Sequence, residues 1–436
     1  MKNTGNKMID HLEDHFNILE SRLNGKKSWN KLRKVAFDTL VKNGLPLAKD
    51  EDYRYTNVRR AFEKTVNFSG LSNISVSRDH GEIPLFQEVD AIHIFINNGI
   101  VNKSKLMNLA HPDLDILTLQ EASEKFSSEV EAHFGRHADI NKDGFTALNT
   151  AFSDEGIFIK IHKNAKIDIP IILHYSAENA SDITLFQSRI LIIAKQGAQA
   201  NIVESYSSTS TEDQFSNHVS ELVVGANANI NYYKLQNQNN KSYHIDNTCI
   251  TQARDSVVQT YTFTLQGKLI RNNLNYFLEG ENCEAHMFGL YLGHEDGHID
   301  NHTVMDHKVA NCYSNEIYKG ILDDNSRGVF NGKIFVRKDA QKTNAFQTNK
   351  NILLTDTASI YTKPQLEIWA DDVSCSHGCT TGQLDEEQLF YLRSRGINKS
   401  SARAMLLHAF VNDILDKINI NFLYDFVNDE IYNRLD

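Results

Sequence analysis

The chain has 436 residues, 41% apolar and 23% charged, which is an ordinary balance for a soluble protein and leaves room for two or three domains. Its 45 basic against 56 acidic side chains give a formal charge of −11, which argues against general nucleic-acid or anionic-membrane binding, since both need a basic surface. No apolar run approaches the roughly 18 residues of a membrane helix, the start MKNTGNKMIDHLEDHF carries charges where an export signal needs an apolar centre, and five scattered cysteines suit free thiols in a reducing cytoplasm.

Residues 1–150 read as an N-terminal helical and then mixed α+β region. Met8, Leu12, Phe16, Leu19 and Leu23 recur at helical spacing, and Gly25 offers a stop. A second helix is predicted after Ser28, carrying Trp29, Leu32, Ala36 and Leu40 and ending at Gly44. The stretch from Gly44 to Asn57, GLPLAKDEDYRYTN, reads as a polar loop. Ala91 to Ile96 alternates like a strand, and Asn97-Asn98-Gly99 is a turn signal.

From about Gly156 the texture changes, and residues 151–380 form the predicted core. Strand-like runs at 157–162, 169–175, 188–194, 200–206, 219–225, 228–235, 257–263, 285–292 and 332–338 alternate with polar corners. The corners fall near Ala198, Ala226, Ser256, Asn282, Val309, Ala340 and Asp372, roughly 26–32 residues apart, the range of repeat architectures. A parallel β-helix explains that period, because each turn buries its apolar residues on the turn before. A β-sandwich with Greek-key loops is the alternative.

Residues 381–436 read as a C-terminal helical domain. A helix over Glu386–Arg395, with Leu389 and Leu392, follows an acidic first turn and stops at Gly396. Ser400 or Ser401 is expected to cap the next, which carries Leu406, Phe410 and Ile414 beside Leu407, Val411 and Leu415. A third runs over Phe422–Leu435. The double-width apolar face suits a small bundle or a partner's groove.

Two constellations can carry chemistry. In Cys375-Ser376-His377-Gly378-Cys379 an extended chain puts Cys375 and His377 on one face, their Cα atoms about 6.6 Å apart. A thiolate and a neutral imidazole at that spacing could share iron, zinc or copper at roughly 2.0–2.3 Å. Cys379 lies on that face only if the strand continues, about 13 Å from Cys375. Two ligands are half of a usual set of four, so the rest come from another chain or nothing stable is held. A buried thiol and a hydrogen-bonded corner histidine are the structural alternative. In the second constellation, His294, Asp296, His298, Asp300 and His302 would make a polar stripe if extended, but Asp296-Gly297 signals a turn. A solvated, hydrogen-bonded face and transient metal binding are the two readings of this run, which extends to His307.

Other chemistries are absent. Gly328-Val-Phe-Asn-Gly332-Lys333 is one residue short of a phosphate loop, and no GxGxxG, HExxH or GxSxG occurs. No ATP hydrolysis by this chain is expected.

Ala370-Asp-Asp-Val373, Cys375-Ser-His-Gly378 and Gly382-Gln-Leu-Asp385 resemble the signature of the SufB/SufD family, in its SufD branch. Gly44 to Asn57 resembles a second family landmark, and Asp300-Asn-His302 and Asn331-Gly-Lys333 resemble family sequence too. The resemblance implies a right-handed parallel β-helix and a non-catalytic subunit of the SufBCD iron–sulfur cluster assembly complex. It implies pairing with SufB through the β-helix, with self-pairing as the option for the isolated chain, and binding of the ATPase SufC through the terminal helices around Leu389, Leu392, Leu406 and Phe410. It puts His377 at the SufB interface, sharing a metal with a SufB thiolate, and gives Cys375 a lesser role and Cys379 none. Iron or a cluster would be held transiently in the complex and not stably by this chain, and nothing in the sequence specifies a flavin site. The competing readings are SufB itself and a polysaccharide-cleaving β-helix enzyme using Asp323 and Asp324. The signature wording argues against the first, and the missing secretion signal against the second.

Overall fold

A residue in the left-handed region at one corner of each turn sets the repeat. Asn227, Asp255, Asn282, Asn311 and Lys342 all have φ near +60°, at intervals of 27 to 31 residues. Asn and Asp tolerate that conformation better than other residues with a Cβ, so the polar corners are backbone devices. Four of the five are tied to the next turn: the Asn227 N–H donates to the Arg254 carbonyl, Asp255 to Glu281, Asn311 to Gln341 and Lys342 to Asp372.

The computed structural model describes residues 2–23, 29–67, 85–107, 109, 111–153, 155–179 and 185–435. Strands make up 43% of the structure, which is a β-solenoid of about eight turns. Successive strands alternate between two facing sheets, and from Leu185–Ala194 onward each pairs in parallel with the strand two places earlier. One sheet runs from Ile92–Asn97 through Ile171–Ala177, Gln199–Ser208, Asn229–Asn237, Val257–Gln266, Glu284–Gly293, Tyr313–Leu322 and Thr343–Leu353 to Val373–Gly382. The other runs from Leu114–Thr118 through Ile157–Ile161, Leu185–Ala194, Gln214–Val224, Ser242–Gln252, Leu269–Leu278, His298–His307 and Arg327–Val336 to Ser359–Ile368. The β-sandwich alternative is thereby excluded, because sandwich strands pair antiparallel. The interior is a ladder of stacked apolar side chains, among them Ile192, Ile202, Leu222, Ile230, Ile250 and Met305, all buried. Each contributes roughly 1.5–3 kcal/mol on burial, and only the stacking of turns removes it from water.

The N-terminal helices Lys2–Leu23 and Asn30–Asn43 pack Phe16 and Phe37 together with ring centroids 4.3 Å apart. Gly44 at φ +71° ends the second helix, its N–H bonding the Leu40 carbonyl at 2.8 Å. The predicted stop at Gly25 and start at Ser28 lie outside the described residues. Asn98 and Gly99, both at positive φ, make the predicted turn between Ile92–Asn97 and Ile100–Val101.

The terminal helices Glu386–Ser394, Lys399–Leu415 and Asn421–Leu435 differ from expectation in two respects. Asn398, not Ser400 or Ser401, caps the second, accepting from the Ser401 N–H at 2.8 Å. The broad apolar face packs the helices against one another, as the small-bundle reading expects, but it also packs against the solenoid, which that reading does not include. Leu407, Val411, Ile414 and Leu415, with Leu423, Val427 and Ile431, cover the outer face of the longer sheet at Tyr233, Leu235, Tyr261, Phe263 and Leu290. The helices therefore flank the solenoid and leave the end formed by Val373–Gly382 open.

Candidate functional site at the open end of the solenoid

Cys375, His377 and Cys379 lie within a full strand, Val373–Gly382, and not at a corner leading into the helix. The corner comes earlier, over Ala370–Asp372, and Gly378 does not bend the chain. The strand pairs in register with Thr343–Leu353, so Cys375 sits beside Ala345, His377 beside Gln347 and Cys379 beside Asn349. Ala345, Gln347 and Asn349 are buried in the interior, while Asn344 and Lys350 are exposed. Side chains paired across a parallel ladder share a face, so all three site residues stand on the interior face. No further turn among the described residues stacks on them, so His377 and Cys379 are exposed and Cys375 is half-buried against the interior core. Burial pushes the Cys375 thiol up from its ordinary value.

Across the mouth, the strand Ser359–Ile368 supplies the facing wall. Ile360 and Leu366 pack on the interior core, and Thr362 Oγ1 lies 2.8 Å from Cys379 Sγ. Among the described residues no group of three or more His, Cys, Asp or Glu side chains is placed to hold a metal ion. Cys375 and His377 are brought to one face, with Cys379 continuing the row. Both last strands pair on one side only, Val373–Gly382 with Thr343–Leu353 and Ser359–Ile368 with Arg327–Val336. Each leaves a row of main-chain N–H and C=O groups open to a partner strand.

Beneath His377 the interior turns polar. Gln347 Nε2 donates to Glu316 Oε2 at 2.8 Å, and Thr303 Oγ1 donates to Glu316 Oε1 at 2.6 Å. Burial raises the Glu316 carboxyl to about 7, against the opposing pull of those two hydrogen bonds. Nothing in the sequence flagged Glu316 or Gln347. The signal available in retrospect is their register with His377, at one position of successive turns.

In the His294–His307 run the face is hydrogen-bonded, as one reading expects, but it is not solvated. Its strand starts at His298, after the turn at Asp296-Gly297, and its outward polar side chains are covered by the segment around Asp52–Thr56. Thr56 Oγ1 lies 2.9 Å from His298 Nε2, Arg271 donates to Asp300 at 2.5 Å and to the Asp52 carbonyl at 2.9 Å, and Asp300 Oδ1 lies 3.0 Å from His302 Nε2. Burial pushes the Asp300 carboxyl up, but Arg271 and His302 together hold it well below the usual range. Burial lowers His298 to about 4, leaving it neutral. The Gly44–Asn57 stretch is thus a docking segment. It reaches the last turn as well, where Glu51 pairs with Lys363, Lys333 with Asp52 at 2.7 Å, and Tyr55 stacks on Tyr361 at 4.4 Å. Asp323 and Asp324 are corner residues: Asp323 pairs with Arg403 at 3.2 Å, and Asp324, at positive φ, accepts the Glu295 N–H at 2.9 Å. That geometry does not set them up as an acid/base pair.

Of the terminal-helix residues singled out by sequence, Leu389 is buried, Leu392 and Leu406 are half-buried, and Phe410 packs against the core beneath Lys319. The outward apolar surface is instead Phe390, Tyr391 and Met405, exposed by 74%, 57% and 49%. No helix among the described residues is long and apolar enough to cross a membrane.

Comparison with known proteins agrees with the geometry. The family described as the SUF system FeS cluster assembly SufBD core domain matches residues 175–410, and the SufBD protein N-terminal region matches 2–173. The chain is 30% identical to the iron–sulfur cluster assembly protein SufD of Escherichia coli over 91% of its own length and 90% of that protein's. It is also 30% identical to an iron–sulfur cluster assembly SufBD family protein of Synechocystis, over 88% and 86% of the two chains. Identity to the chloroplastic protein ABCI7 of Arabidopsis thaliana is 27%, over 89% and 82%.

Proposed function

The chain belongs to the SufB/SufD family of iron–sulfur cluster assembly proteins, and from that premise we propose that it is a SufD-type, non-catalytic subunit that pairs with SufB at its last solenoid turn and binds the ATPase SufC on its C-terminal helices. The observation that carries the reading is the open end: two half-paired strands with Cys375, His377 and Cys379 in a row on the interior face. A partner strand added to either edge satisfies the free main-chain groups and brings the partner's side chains against that row. In the absence of SufB the same edges offer a route to self-pairing.

The cluster is the cargo of this site. His377 supplies an imidazole nitrogen as ligand, and a thiolate from SufB completes the contact. Half-buried Cys375, with its raised thiol, contributes less. Because the row supplies less than a usual set of four ligands, iron or a cluster is held only transiently and only in the complex.

The test is co-expression with SufB and SufC, followed by anaerobic reconstitution with iron and sulfide. His377→Ala is expected to leave the three chains together on a sizing column and to cut cluster absorption sharply, with Cys375→Ser intermediate. The isolated chain is expected to take up no stoichiometric cluster. Normal cluster yield with His377→Ala, or a stable cluster on the chain alone, overturns the reading.

A further inference from the structure

Gln347 is 2% exposed, and its amide is only half used. Its Nε2 donates to Glu316, while its Oε1 is buried with no hydrogen-bond partner among the described residues. A buried carbonyl oxygen left unpaired costs about 1–3 kcal/mol, so such an atom calls for a donor. The side chain beside it on the same face, one strand nearer the open end, is His377, with Cα atoms about 4.8 Å apart in a parallel ladder. His377 is exposed on the last turn, and among the described residues no further strand packs on it.

The direction of the amide is set from below. When ionised, Glu316 is acceptor-only. It is buried by 99% of its surface and accepts from Thr303 on its other oxygen, so it takes the amide N–H of Gln347 and turns the amide oxygen away from itself. We propose that Gln347, oriented by Glu316, is the positioning residue of the site: its Oε1 accepts the Nδ1–H of His377 and leaves the Nε2 lone pair free for the partner-side metal. Histidines that ligate metals commonly donate their other ring N–H in this way, which fixes both tautomer and ring plane. The inference rests on the cluster-assembly reading above and adds to it the means by which an exposed imidazole is preorganised.

The test has a readout independent of cluster yield. Long-range proton–nitrogen spectra of the full chain labelled with nitrogen-15 histidine, recorded at about pH 8.5 where Glu316 is ionised, report which ring nitrogen carries the proton. His377→Ala assigns the signal. Wild type is expected to show His377 protonated on Nδ1, the minor form of a free imidazole. Gln347→Leu is expected to return it to the Nε2–H form. Glu316→Gln is expected to do the same by another route: its new amide N–H draws the Gln347 oxygen down, and the Gln347 NH2 then faces the ring. In the SufB–SufC assembly, either variant should lower cluster yield about tenfold while the chains stay associated. An Nε2–H tautomer in the wild type, or a tautomer unchanged in both variants, overturns the inference. If His377→Ala reconstitutes clusters normally, the functional reading fails whatever the tautomer. If His377→Ala fails while both amide variants behave as wild type, only the present inference fails.

Discussion

Glu316 gives the sharpest stability test. Its carboxyl is buried in the solenoid with two hydrogen-bond donors, Thr303 and Gln347, and no cation paired with it among the described residues. Desolvation raises it from 4.5 to about 7. An acid raised by folding holds its proton more tightly in the native chain. Its full stability is therefore present below about pH 4.5, is lost as pH rises toward 7, and stays lost above that. The loss at pH 8 is about 3 kcal/mol. Glu316→Gln removes the titrating group, while the amide can still accept from Thr303 and, once the Gln347 amide turns over, donate to its oxygen. The variant should thus gain about 2.5 kcal/mol over wild type between about pH 5 and pH 8. Urea unfolding of both chains at the two pH values measures this, because every other titrating group cancels in the comparison. A difference independent of pH, or a wild type that gains on the variant as pH rises, refutes the account of Glu316 as a buried acid without a counter-charge.

Two further predictions concern the surface. An alkylating reagent should modify Cys379 and then Cys375 in the native chain, leaving Cys249, Cys283 and Cys312, all buried, until denaturant is added; mass spectrometry of digested samples shows the order, and early modification of the three buried thiols contradicts the fold at those turns. Phe390→Asp with Tyr391→Asp should abolish SufC capture while shifting unfolding by no more than about 0.5 kcal/mol, since both side chains point outward from Glu386–Ser394. Unchanged capture moves the SufC contact to another surface.

The sequence displayed the solenoid wherever its strands are apolar. Ile157–Ile161 and Leu185–Ala194 are runs that only a buried strand explains, and the polar corners recur because the backbone takes a left-handed residue at least once per turn. It hid the strands whose buried faces are polar. Ser242–Gln252, Leu269–Leu278 and His298–His307 carry Asn, Asp, His and Thr where strands usually carry Val and Ile. Those side chains are buried for two reasons that periodicity does not encode. Some bond one another inside the solenoid, as Asn272 does with Gln236, Thr264 and Asn301. Others lie under a segment more than two hundred residues earlier, as Arg271 lies under Asp52 and Tyr53.

The same distinction governs the site. The local row of Cys375, His377 and Cys379 was readable from the two-residue spacing of a strand. Its depth was not, because Gln347 and Glu316 reach His377 only through the register of successive turns. A solenoid converts sequence separation of about thirty residues into direct contact. A side chain set behind an exposed ligand is therefore found by counting one turn back from it. Here that count passes from the exposed imidazole to a buried amide and then to a buried acid, each nearer the interior and each restricting the freedom of the one before.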